Sequence, residues 1–304
     1  VQPGPDRRAG WLTTQKTFIS WEKKQMDTHE WTWKSADGLD LVARSWTPEA
    51  KPKAVVCLVH GLGEHVGRYA HVGVALNERG YALAGFDLRG HGKSKGQRGH
   101  TPSFDAFMQD ITDFLSNVAV LFPGIPRFLF GHSLGGILVL NYVLRRSPTL
   151  AGVISTAAGL RTSLEEQKGK VALARILGTL IPGVALPSGL DPKTISRDEH
   201  VVQAYIEDPL VHDRITLGFG KIMLAAIPWA FTHAADFPVP LLIMHGSEDL
   251  LGYPRGSREF ADLVSKDCTF KLWDGLSHEL HNEPEKEQIF ELITKWLDDQ
   301  LEKV

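Results

Sequence analysis

Apolar and polar residues alternate along "HEWTWK" and again along "LDLVARSW", with the turn "SADG" between them. Period-two alternation on both sides of a Gly-containing turn predicts a β-hairpin. The pattern then changes. "AVVCLVH" (54–60) is short, β-branched and apolar throughout, which suits a strand buried on both faces. A helical pattern from Arg68 to Arg79 ends at Gly80, and "YALAGFDL" (81–88) reads as the next strand. Apolar residues recur at three and four along "SFDAFMQDITDFLSNVAVLF" (103–122), with Ser103 placed to cap the helix. A strand "RFLF" (127–130), a helix "GGILVLNYVLRR" (135–146) and a strand "LAGVIST" (150–156) follow. From 160 to 232 no strand-like run occurs, and the segments read as helices joined by the Pro/Gly-rich "PGVALPSGLDP". Alternation then resumes with strand "VPLLIMHG" (239–246), helix "RGSREFADLVSK", strand "CTFKLWDG" (268–275) and a last helix. In that helix Ile289, Leu292, Ile293, Trp296 and Leu297 share one face.

Strands alternating with helices define an α/β fold, a mostly parallel central sheet with helices on both faces. The opening hairpin adds an antiparallel edge. Residues 26–159 and 233–304 form this core, and 160–232 are expected to be a helical cap. The insertion enters at the C-terminal ends of the strands, the edge where open α/β sheets bind ligands. Residues 1–25 are polar and irregular, and Met26 opens the regular pattern. Two readings stand side by side: an extension that need not be native, or an arm packed on the domain through Trp11, Phe18 and Trp21.

Composition narrows the class. The chain has 304 residues, 43% of them hydrophobic, enough for a sizeable core. A formal charge of −3, with Lys and Arg dispersed, argues against a nucleic-acid surface. No apolar run approaches the roughly 18 residues needed to span a bilayer, and the N-terminus lacks the apolar segment of a signal peptide. The 2 cysteines make no disulfide framework, and Cys57 inside "AVVCLVH" reads as a buried hydrophobe. A cytoplasmic location is expected, peripheral at membranes if the cap touches them.

The chemistry lies in a repeated pattern. G-x-S-x-G occurs as Gly92-Lys93-Ser94-Lys95-Gly96 and as Gly131-His132-Ser133-Leu134-Gly135. Presenting a serine nucleophile requires a strand before it, a helix after it, and small residues where the two nearly touch. The helix N-terminus then aims N–H groups and partial positive charge at the site. Ser133 meets all three conditions. Ser94 is followed by the polar, Gly-rich "KGQRGHTP", so no helix starts there. Ser133 is the expected nucleophile.

A serine hydroxyl needs an adjacent base that is itself oriented by a carboxylate. On such a sheet the order is Ser, then Asp or Glu, then His, each on a loop after a strand. "LLIMHGSEDLL" reaches Asp249 soon after its strand; Asp236 precedes that strand, and Glu248 would point elsewhere. "FKLWDGLSHELH" offers His278 and His281, and His278 lies nearer the strand end. The oxyanion needs preorganised donors: the N–H of Leu134, and that of Leu62 in "HGLGEH". His60 and His132 read as structural. "HELH" is one residue short of the H-E-x-x-H zinc pattern, and neither a metal nor a cofactor is expected.

"HGLGEHVGRY", "DLRGHGKSKGQRG", "GHSLGG", "HGSEDLL", "DGLSHELHNEP" and "LDPKTISRDEHVVQAYIEDPLVHDRIT" together resemble the monoacylglycerol lipase and lysophospholipase-like branch of the α/β-hydrolases. The resemblance covers about residues 30–300. It implies the triad Ser133, Asp249, His278 and the donors Leu62 and Leu134. It also implies that Glu64, Arg68 and His281 line a polar pocket for a glycerol head group; structural pairing of Glu64 with Arg68 is the plainer reading of the residues. One departure is "DLLGYPRGS" after Asp249, where relatives often carry a further carboxylate or proline. In the cap, Leu173, Ile176, Leu177, Ile181, Val184 and Leu186 are candidate walls for an acyl chain, and the same surface could touch a membrane.

The expected function is hydrolysis of a medium- or long-chain monoacylglycerol through an acyl-enzyme, by a monomer or homodimer. The alternatives are a lysophospholipase or broad carboxylesterase, and, from another class, a non-catalytic binding protein on the same fold. The intact set of Ser, Asp and His argues against the last.

Overall fold

The computed structural model describes residues 27–303, so the two readings of residues 1–25 lie outside it. An eight-stranded sheet has the order β1-β2-β4-β3-β5-β6-β9-β10. Its strands are β1 (Asp27–Lys34), β2 (Asp40–Thr47), β3 (Val55–Val59), β4 (Ala82–Phe86), β5 (Arg127–His132), β6 (Gly152–Thr156), β9 (Leu241–Gly246) and β10 (Cys268–Trp273). β1 and β2 form the hairpin, β2 runs antiparallel to β4, and every pairing from β4 to β10 is parallel.

Alternate side chains of the inner strands feed two cores. On one face Val55, Cys57, Val59, Leu129, Val153 and Ile243 meet α2 (Phe104–Leu121), α3 (Leu134–Arg146) and α7 (Pro254–Leu263). On the other, Val56, Leu58, Phe130, Ile154 and Met244 meet α1 (Ala70–Glu78) and α8 (Lys286–Leu301). Burial on both faces explains why these strands read as unbroken apolar runs. Ser103 caps α2 by accepting from Ala106 N at 3.1 Å. On α8, Ile289, Ile293, Trp296 and Leu297 are buried and Leu292 partly so. Cys57 is buried, and burial pushes its thiol up to about 12.

Between β6 and β9 the chain forms α4 (Lys168–Leu180), β7 (Ala185–Pro187), α5 (Glu199–Glu207), β8 (Arg214–Thr216) and α6 (Leu217–His233). The expectation of no strand here needs correction, because β7 and β8 pair antiparallel. Three residues are too few to show alternation, and the pair is held by the backbone, with Leu217 N donating to Val184 O at 3.0 Å. α6 also reaches beyond its own segment. Phe219, Met223 and Ala230 join the α2–α3 core, where the Phe107 and Phe219 rings meet edge-on at 5.9 Å.

β3 sits between β4 and β5, so the chain turns one way after β3 and returns to the other side for β5. At such a reversal the loops leaving the two strands part and open a crevice. Residues 60–64 leave β3 on one side of it, and Ser133 leaves β5 on the other. No described helix is long and apolar enough to cross a membrane.

Candidate active site

Ser133 lies between β5 and α3 with φ 53° and ψ −114°, a region that costs a non-glycine residue of order 1–3 kcal/mol. The surroundings enforce it. Ser133 N donates to Thr156 O at 2.9 Å, and β5 and α3 pass so closely at the turn that only glycine fits beside the serine. A Cβ on Gly131 would stand 2.3 Å from Gly135 O. Leu134 opens α3, so its N–H has no partner one turn back. Gly61 brings the loop after β3 against the serine, its ideal Cβ position lying 3.2 Å from Ser133 Cβ.

Asp249 follows β9 and His278 follows β10, adjacent parallel strands. His278 Nδ1 donates to Asp249 Oδ2 at 2.6 Å. Asp249 Oδ1 accepts from Leu251 N at 2.8 Å and Gly252 N at 3.0 Å. Burial pushes Asp249 up, but the His278 charge and the hydrogen bonds outweigh it and hold the carboxyl well below the usual range. Burial pushes His278 down, and the Asp249 charge and hydrogen bond reverse this and raise it. Only the serine link is open: Ser133 and His278 share no hydrogen bond, and the His132 ring centre lies 4.9 Å from that of His278. His132 is buried and held near 3 by burial and by His278, so it stays neutral and does not compete as a base.

Glu64, Arg68 and His281 are brought together, in a buried cluster. Glu64 Oε1 accepts from Gly61 N at 2.6 Å and Tyr69 Oη at 2.8 Å, and Oε2 accepts from Arg68 at 2.7 Å. Arg68 also makes a two-pronged contact with Glu279, both bonds 2.7 Å. The guanidinium thereby ties the loop after β3 to the loop of His278. Burial raises the Glu279 carboxyl, but Arg68 outweighs it and holds the group below its ordinary value. His281 stacks on Tyr69 at 4.6 Å, with both ring nitrogens buried and unpartnered. Burial, then the neighbouring His132 and His71, push it well below the imidazole range.

The inserted segment closes over both loops. His212 N donates to Gly63 O at 2.8 Å and Glu279 N to Ile195 O at 2.7 Å. Asp208 pairs with His65 at 2.8 Å, and Tyr205 lies under the Arg68 guanidinium at 4.7 Å. Of the candidate acyl-chain residues, Leu173, Ile176, Ile181, Val184 and Leu186 are exposed and Leu177 half-buried. Ile176 also lines a cleft of about 370 Å³ between α4 and α6.

Ser94 is elsewhere and fully engaged. Its Oγ donates to Asp87 O at 2.6 Å and accepts from Val42 N at 2.9 Å, which joins the loop after β4 to β2. Arg89, in the same loop as Ser94, bridges Asp110 on α2 and Asp37 in the β1–β2 turn. His60 is also structural, donating to Gly61 O and accepting from Leu88 N. Among the described residues no group of three or more His, Cys, Asp or Glu is placed to hold a metal ion. Sequence reasoning passed over Glu279, hidden beside the stronger His278, and His245, which looks like one more residue of a buried strand.

A strained serine at a strand–helix turn, on a sheet with buried Asp and His after later strands, defines a serine hydrolase of the α/β-hydrolase fold. A family model described as "Serine aminopeptidase, S33" matches residues 50–285. The chain is 38% identical over 271 residues to an uncharacterized abhydrolase domain-containing protein of Dictyostelium discoideum, covering 88% of this chain but only 29% of that longer protein. It is 35% identical over 262 residues to a monoacylglycerol lipase of Mycolicibacterium smegmatis, covering 86% of this chain and 93% of the relative. The crystal structure of Paleococcus ferrophilus monoacylglycerol lipase aligns with a TM-score of 0.77 at 37% identity, covering 90% of this chain and 100% of that one. The chain belongs to this hydrolase family, in its monoacylglycerol lipase and lysophospholipase-like branch.

Proposed function

We propose that the protein hydrolyses medium- or long-chain monoacylglycerols, with Ser133 as nucleophile, His278 as base and acid, and Asp249 as its orienting carboxylate. Ser133 Oγ attacks the ester carbonyl as His278 Nε2 takes its proton. The N–H groups of Leu62 and Leu134 receive the developing oxyanion. His278 then protonates the leaving glycerol oxygen, and a water deprotonated by His278 releases the fatty acid from the acyl-enzyme. Substrate binding is what closes the Ser133–His278 gap, since such bonds tighten in the loaded enzyme.

The observation that carries this reading is the 2.6 Å His278–Asp249 pair on the loops after β10 and β9, the arrangement that prepares an imidazole to act as a base. Relatives of 35% and 37% identity named for monoacylglycerol support the substrate. The cluster beside the site adds a physical reason. Two carboxylates, Glu64 and Glu279, face one guanidinium, Arg68; burial raises the Glu64 carboxyl, and the cluster, whose cation is already shared between two acids, suits an uncharged glycerol better than a phosphodiester. In this reading residues 160–232 act as a cap, Leu173, Ile176, Leu177, Ile181, Val184 and Leu186 contact the acyl chain, and the exposed ones meet a membrane as substrate is drawn from it.

Two measurements test it. A fluorophosphonate probe should leave its adduct on Ser133 in the folded protein. Rates over monoacylglycerols, lysophosphatidylcholine and nitrophenyl esters of graded length should peak with a monoacylglycerol; faster turnover of lysophosphatidylcholine would overturn the substrate assignment.

A further inference from the structure

Asp249 is approached by two imidazoles, and the mechanism above uses one. His245 lies on β9, wholly buried. Its Nε2 stands 2.9 Å from Asp249 Oδ2 and 2.9 Å from Gly252 O, and its Nδ1 stands 2.7 Å from Ser257 Oγ on α7. Carboxylate and carbonyl oxygens only accept, so Nε2 carries a proton; in the neutral imidazole Nδ1 then accepts from the Ser257 hydroxyl, which has a hydrogen to give. Asp249 Oδ2 therefore takes hydrogen bonds from both His278 and His245.

We propose that His245 is a positioning residue for the reaction: its Nε2–H holds Asp249 Oδ2 in place and draws part of that oxygen's charge away from His278, while Ser257 fixes the tautomer that does so. The inference rests on the reading of Asp249 and His278 given above. A donor shared onto one carboxylate oxygen stabilises the anion and weakens its pull on the other imidazole. His278 then stays deprotonated, and able to act as base, to lower pH than Asp249 alone would allow. The other charged groups acting on His278 are Glu279 and Glu64. Around His245, β10 presents Leu272; on α7, Arg258 lies over Phe270 and Glu259 pairs with Arg161. Asp249 is thus the one charged group hydrogen-bonded to His245 among the described residues.

The test compares wild type with His245→Gln, His245→Leu and Ser257→Ala. Active Ser133 is counted with a fluorophosphonate, and kcat/KM for one monoacylglycerol is followed against pH. His245→Gln can place an amide N–H where Nε2 was, and should keep the acid limb in place. His245→Leu should move that limb up by about half to one pH unit and lower kcat/KM near neutrality roughly three- to tenfold. Ser257→Ala, which weakens the same donor, should move the limb the same way by less. A limb unmoved in both Leu and Ala variants, or moved equally in the Gln variant, overturns the proposal, since a packing role would change melting temperature alone. If His245→Leu does not fold, the Gln and Ala variants still decide. Absence of any Ser133 adduct in wild type would instead overturn the catalytic reading beneath it.

Discussion

Gly135 and Val59 approach so closely that a Cβ on Gly135 would stand 1.9 Å from the Val59 carbonyl oxygen and 2.7 Å from that of His60. These atoms are backbone, so no side chain can turn aside to relieve the overlap. Gly135→Ala must push α3 away from β3, and with it the Leu134 N–H and the Ser133 turn. The expected outcome is a loss of about 2–4 kcal/mol in denaturant unfolding and at least a roughly hundredfold fall in kcat, because a misplacement near 1 Å costs that much.

The same contact explains what could be read from the sequence. Glycines flanking Ser133, a strand before and a helix after are local facts, and local facts show in a pattern. The two-core sheet was legible because burial on both faces leaves continuous apolar runs. Contacts over long sequence separations were not. The Arg68–Glu279 pair spans 211 residues, and no spacing rule reaches that far, whereas Glu64–Arg68 at i,i+4 was visible. β7 and β8 were missed because three residues carry no period, and the apolar residues of α6 do not reveal in sequence which core they join.

The two G-x-S-x-G serines should respond oppositely to alanine. Ser94→Ala leaves the half-buried Val42 N–H and the buried Asp87 carbonyl short of a partner, so it should cost about 1–3 kcal/mol of stability while kcat changes only a few-fold. Ser133→Ala removes the proposed nucleophile and should lower kcat by about 10⁴-fold or more, with stability nearly unchanged. Paired denaturant melts and ester hydrolysis assays separate the two; equal loss of turnover in both would contradict the assignment.

Asp249 raises His278 above the ordinary imidazole value of 6.5, so the acid limb of kcat/KM should lie above about 6.5. Asp249→Asn removes the raising charge and leaves the burial that lowers the imidazole. The limb should then move down while kcat falls about 10³–10⁴-fold. Stability carries the matching signs. The raised His278 contributes stability below the unfolded imidazole value that is lost as pH climbs through the folded one. The lowered Asp249 contributes stability above the unfolded carboxyl value that is lost as pH falls. The pair should therefore stabilise most between roughly pH 4 and 6.5, and the wild-type minus Asp249→Asn difference in melting temperature should be greatest there.

Arg68 is placed between two buried carboxylates, and its side chain is only 9% exposed. Arg68→Leu would leave Glu64 and Glu279 facing each other without a counter-charge. Breaking a buried pair from one side costs about 3–5 kcal/mol, and here two acids are stranded, so protonation of one would become the way to fold. Stability of Arg68→Leu should accordingly recover as pH falls toward about 5. Arg68→Lys keeps the charge but loses the planar fork that meets both Glu279 oxygens, and should recover only part of the loss. The Glu64→Gln/Arg68→Leu double variant removes the repulsion and should be more stable at neutral pH than Arg68→Leu alone. Thermal melts across pH read all three outcomes, and an Arg68→Leu protein that loses stability equally at every pH would show that the guanidinium is held there for packing and not for charge.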